Sequence, residues 1–100
     1  MDLTIVSLIF EASDPKTLAA VLAKYVVVAR GAPGCRNIDL TASVSRPGRF
    51  IIIEKWESPE AQRAHFDSPE MVEMAEGATG LLERPPEIDL LDPISAHDLI

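Results

Sequence analysis

Cysteine occurs once, at Cys35, in 100 residues. A single thiol forms no internal disulfide and has no partners at metal-ligand spacing, which excludes a disulfide-stapled scaffold and a cysteine-held zinc site. Its expected place is as a small buried apolar side chain. Aromatic residues are scarce too: one Trp, one Tyr and three Phe. Long apolar runs are missing. The stretch Leu3–Phe10 is short and follows Asp2 instead of a basic segment, so it reads as neither signal peptide nor membrane span. Basic residues thin out along the chain. Residues 1–53 carry a net charge of +2 and residues 54–100 a net of −9. An acidic chain of this kind is poorly suited to nucleic acid, where phosphate neutralisation supplies most of the affinity, or to an anionic membrane surface. There is no Gly-rich phosphate loop, no metal-ligand cluster and no nucleophile elbow. A cytoplasmic protein without cofactor or metal is the expectation.

What is present is apolar bulk: 47% hydrophobic and 25% charged residues. That balance fits a folded globular chain and excludes disorder. One domain over 1–100 is expected, with its core at about 3–94 and a patternless tail at 95–100.

Leu3–Glu11 reads as a strand apolar on both faces, hence covered on both. Asp14-Pro15 supplies an N-cap and a first-turn proline. The stripe Leu18, Val21, Leu22, Tyr25, Val28 and Ala29 then marks a helix ending near Gly31. Arg36–Ser45 alternates Ile38, Leu40, Ala42 and Val44 with polar residues, as an edge strand does. After the turn Arg46-Pro47-Gly48, Arg49–Glu57 is again apolar on both sides. Ser58-Pro59-Glu60 recurs ten residues later as Ser68-Pro69-Glu70, a repeated helix start that predicts helices over 58–67 and 68–82, the second stopped by Pro85-Pro86. Glu87–Asp92 is the last strand.

Strand, helix, strand, strand, helix, strand is the ferredoxin-like βαββαβ order of an α+β domain with an antiparallel sheet. First and third strands are central there, which agrees with their two apolar faces. Helices cover one sheet face only. The other keeps an apolar surface that predicts a homodimer packed sheet against sheet.

The run Phe50-Ile51-Ile52-Ile53-Glu54-Lys55-Trp56-Glu57-Ser58-Pro59-Glu60-Ala61 with His65, the turn Ala32-Pro33-Gly34-Cys35 and the closing Glu87–Ile94 together resemble the antibiotic biosynthesis monooxygenase family. The resemblance covers about residues 3–94. It implies a dimeric α/β barrel and cofactor-independent oxygenation, with O2, of a phenolic, quinol or polyketide-like aromatic molecule. Isomerisation of a small carbonyl compound in the same pocket, or a non-catalytic ligand-binding or stress-related module, are the alternatives. Haem degradation is set aside, because the positions matching that branch's Asn, Trp and His are Ser7, Trp56 and Ala75.

Under this reading Trp56 walls an aromatic slot and His65, with an ordinary pKa near 6.5, assists proton removal. Ser7, a lone hydroxyl on the Leu3-Ile5-Ile9 face, and Tyr25, a phenol on the helix stripe, are candidate substrate contacts. Phe66, Met71 and Met74 are candidates for the pocket mouth, although methionines at this spacing are commonly core. Glu57, Glu60, Glu70, Glu73 and Glu76 read as a solvated acidic face. Glu54 is the exception: it shares the Trp56 face of a central strand, where burial would raise its pKa and suit it to act as a base.

Overall fold

The computed structural model describes residues 3–96, so the end of the expected tail, with His97, lies outside the described residues. The elements run β1 (Thr4–Glu11), α1 (Pro15–Ala29), β2 (Cys35–Ala42), β3 (Arg49–Trp56), α2 (Pro59–Phe66), α3 (Pro69–Ala78) and β4 (Glu87–Leu91). The sheet has the order β2-β3-β1-β4, with all neighbours antiparallel. This is the expected ferredoxin-like α+β arrangement, and the double-faced strands β1 and β3 are central. The sheet is open, with β2 and β4 at its edges, so one chain alone is not a closed barrel.

Capping sets the helix starts. Asp14, Ser58 and Ser68 accept from the backbone N–H three residues on, and each is followed by a proline. The repeat therefore makes two separate helices. α3 stops at Ala78, earlier than expected. Thr79 leaves helical geometry and Gly80 takes a φ of +82°, which ends the helix well before Pro85. β2 also ends sooner, at Ala42, and an irregularity between Cys35 and Asn37 shifts its register against β3.

Strand alternation sends Val6, Leu8, Phe10, Ile38, Ile52 and Trp56 to one face, where they join Leu18, Leu22, Val26, Ala29 and Ala78 in the core. On the opposite face Ile5, Ser7, Ile9, Ile51 and Ile53 remain half-buried. The turn into β2 is pinned to the site by two features. Glu57 N–H donates to Gly34 O at 2.8 Å. Gly34, at φ +79°, passes so close to α2 that an added Cβ would lie 2.5 Å from the Ala61 Cβ.

Candidate functional site

β3 supplies the unusual residue. Glu54 sits in mid-sheet, paired in register with Val6 on β1 and Ile38 on β2, and is 3% exposed. A carboxylate in such surroundings needs hydrogen bonds to replace water. It has one on each oxygen: Tyr25 Oη donates to Oε2 at 2.5 Å and Trp56 Nε1 donates to Oε1 at 3.0 Å. Trp56 follows Glu54 by two residues and so shares its face. Tyr25 arrives from the buried stripe of α1.

α2 brings the fourth member. His65 is its one buried residue. The imidazole stacks on Trp56, with centroids 4.5 Å apart and planes at 28°, and its Nε2 lies 2.8 Å from Tyr25 Oη. The proton inventory assigns the tautomer. Tyr25 has a single hydroxyl proton, and the short contact commits it to the Glu54 carboxylate. Tyr25 Oη is thus the acceptor from His65, and Nε2 carries the hydrogen. Nδ1 is left with its lone pair, 3.5 Å from Ser68 Oγ and 3.6 Å from Glu70 Oε2.

Electrostatics follow from burial. The Tyr25 phenol is pushed far above its usual range, first by burial and then by the Glu54 charge. His65 is held below its ordinary 6.5 because burial disfavours the cation, with Glu54 and Glu70 opposing that shift. His65 is therefore a neutral imidazole at neutral pH. Burial also raises the Cys35 thiol, which is half-buried nearby.

Two clefts flank this cluster. One, of about 210 Å³, lies between the turn Ala32–Gly34 and α2, and His65, Ser68 and Glu70 are among the residues that line it. The other, of about 140 Å³, opens between α1 and α3, with Tyr25 and Met74 in its wall and the Lys24–Glu73 ion pair, at 2.7 Å, beside it. Glu70 lines both. Among the described residues, no group of three or more His, Cys, Asp or Glu is placed to hold a metal ion.

The structure thus brings His65, Trp56, Tyr25 and Glu54 into one cluster and sets Met74 at a cleft beside it. Trp56 is fully buried and lines neither cleft; His65 stands over its face. Met71 packs against the core. Phe66 is 47% exposed and lines neither cleft. Ser7 is on the opposite sheet face, since β1 alternation turns it away from Val6 and Leu8. Glu70 corrects the reading of a uniformly solvated acidic face: its side chain is 21% exposed and faces His65. The clue was the second Ser-Pro-Glu. By starting a new helix three residues after His65, it puts a first-turn carboxylate beside the imidazole.

Residues 11–77 match the family described as Antibiotic biosynthesis monooxygenase. No curated protein matches the chain. Among solved structures, Rv0793 from Mycobacterium tuberculosis aligns with a TM-score of 0.86 at 26% identity, covering 96% of this chain and 99% of that one. SnoaB, a cofactor-independent oxygenase from Streptomyces nogalater, aligns at 0.85 and 17% identity over 98% and 99% of the two chains. PA3566 from Pseudomonas aeruginosa aligns at 0.85 and 22% identity over 95% and 97%. The last two likenesses bear on the fold alone. The family match spans most of the chain and takes in α1, β2, β3, α2 and all but the end of α3, and this chain belongs to the antibiotic biosynthesis monooxygenase family.

Proposed function

We propose that the protein is a cofactor-independent monooxygenase that oxidises a small phenolic or quinol-type aromatic molecule with O2, with His65 as the base. The observation that carries this reading is the chain of short contacts from His65 through Tyr25 to Glu54. Nε2 is taken up by Tyr25 and Tyr25 by Glu54, which leaves as the basic atom Nδ1, beside Ser68 and Glu70, two residues that line the 210 Å³ cleft together with His65. Family membership and the name of SnoaB add support.

The chemistry asks little of the protein. Nδ1 takes the acidic proton of the substrate, and burial of the site favours return of His65 to the neutral form. The electron-rich anion reduces O2 by one electron. The resulting pair combines into a carbon-bound peroxide, which takes the proton back from His65, and loss of water, with the hydrogen of that carbon, leaves a new ring carbonyl. Both oxygen atoms are then accounted for, one in the product and one in water. Ligand sites for drug-sized molecules run to about 300–1,000 Å³. A cleft of about 210 Å³ suits one or two rings. The working unit in this reading is a homodimer joined through the half-buried isoleucines of the open sheet face.

Oxygen uptake with a panel of anthrones, naphthols and hydroquinones tests the proposal. Consumption that falls at least about a hundredfold in His65→Ala supports it, in line with the usual share of a general base. Unchanged uptake in that variant removes His65 from the mechanism. Isomerisation of a carbonyl compound without O2 consumption replaces the oxygenase reading.

A further inference from the structure

Glu70 stands apart from the other acids of α3. Glu73 is 66% exposed and is taken up by Lys24, and Glu76 is exposed. Glu70 is half-buried, lines both clefts, and brings its carboxylate to within 3.6 Å of His65. The approach is to Nδ1, the nitrogen that Tyr25 leaves free. At 3.6 Å it is longer than a hydrogen bond, as fits an imidazole with no hydrogen on that atom.

We propose that Glu70 is the positioning residue for His65: when Nδ1 gains a proton, the Glu70 carboxylate closes on the new N–H and holds the imidazolium in place. This rests on His65 acting as the base. Glu54 is unsuited to the same task, because both of its oxygens are engaged, by Tyr25 and Trp56, and it reaches the imidazole only through the phenol. The groups that face His65 are Tyr25 from α1, Glu54 and Trp56 from β3, and Ser68 and Glu70 at the start of α3, with Glu57 across the cleft. Of these, Glu70 is the carboxylate nearest the reacting nitrogen. Burial works against the imidazolium, and a charge at this distance works for it. A rest-state gap that closes on protonation places the stabilisation where charge develops and leaves the neutral base free.

The test needs no substrate. His65 and His97 are the only histidines, so an NMR titration of the two imidazole Cε1–H signals, assigned with His97→Asn, follows His65 directly. The wild-type His65 titrates below about 6.5. Glu70→Gln lowers it by about one further unit, a tenfold loss of proton affinity. Glu73→Gln, the exposed control, leaves it in place. Glu70→Asp keeps the charge at a greater reach and loses less than the Gln variant; if Glu70→Gln does not fold, this variant decides, and an unmoved His65 in it overturns the proposal. Equal shifts in the Glu70→Gln and Glu73→Gln proteins overturn it, and so does a wild-type His65 that stays neutral down to about pH 4. Oxygen uptake is read separately. A wild-type protein that consumes no O2 ends the oxygenase reading and leaves the Glu70–His65 coupling as measured.

Discussion

Replacing Tyr25 by Phe removes one oxygen atom and keeps the ring that α1 contributes to the core. Two buried groups lose their partner together: Oε2 of Glu54 and Nε2–H of His65. Leaving a buried polar group unsatisfied costs about 1–3 kcal/mol, and more when it is charged. The phenyl ring offers neither group a substitute, and both residues are at most 5% exposed, so water does not reach them freely. The expected loss is about 3–5 kcal/mol, a large part of the roughly 5–15 kcal/mol available to a domain. At about 4–8 °C per kcal/mol the melting temperature falls by roughly 12–40 °C. Urea unfolding measures the loss as a shift in midpoint at unchanged slope. The network further predicts that Tyr25→Phe and Glu54→Gln are not additive: the double variant is less destabilised than the sum by more than about 1 kcal/mol. A Tyr25→Phe protein within about 0.5 kcal/mol of wild type would refute the reasoning, since neither buried group would then depend on the phenol.

Stability is expected to fall on both sides of neutrality. His65 has a folded pKa below the unfolded value of about 6.5, so the unfolded chain binds more protons in the window just beneath it and stability declines there as pH drops; His65→Leu flattens that limb. Tyr25 keeps a proton that the unfolded chain releases above about pH 10, so stability declines again as pH rises past that point, and urea midpoints across pH check both limbs. Gly34→Ala combines a positive φ with a 2.5 Å approach to Ala61 and is expected to cost about 2 kcal/mol or more in thermal unfolding, while an unchanged melting temperature would contradict the close approach. Light scattering at micromolar concentration should find a dimer, and Ile53→Lys on the open face should make it a monomer; a monomeric wild type would contradict the sheet-packing argument.

The fold was legible because strand faces declare their surroundings. Apolar residues on both sides of Ile51-Ile52-Ile53 and of Val6–Phe10 put β3 and β1 in the middle, and the alternation of Arg36–Ser45 put β2 at an edge. Helix starts were equally plain, each with its cap and proline. The end of α3 was less so. Pro85-Pro86 is the louder stop in the sequence, but the chain turns at Gly80, where a positive φ costs glycine little. For the site, the sequence gives faces but not distances. It shows that Glu54 and Trp56 share a side. It does not show that Tyr25, 29 positions from Glu54, and His65, 40 positions from Tyr25, converge on them. Glu70 was hidden by its company. Steps of three along a helix rotate by about 60° each, so Glu70 and Glu76 face directions about 120° apart although their spacing suggests a single face.

The break between α2 and α3 has an electrical consequence. The C-terminal end of one helix carries partial negative charge and the N-terminal end of the next carries partial positive charge. His65 lies in the last turn of α2 and Glu70 in the first turn of α3. Each therefore stands at the pole that favours its own ionised form, and the pair faces across the seam between them. A continuous helix would abolish both poles and set residues 65 and 70 about 140° apart around a common axis. Ser68-Pro69 thus acts as an insulator in a wire: by interrupting the peptide dipole, it creates two opposed terminals on either side of the His65–Glu70 approach.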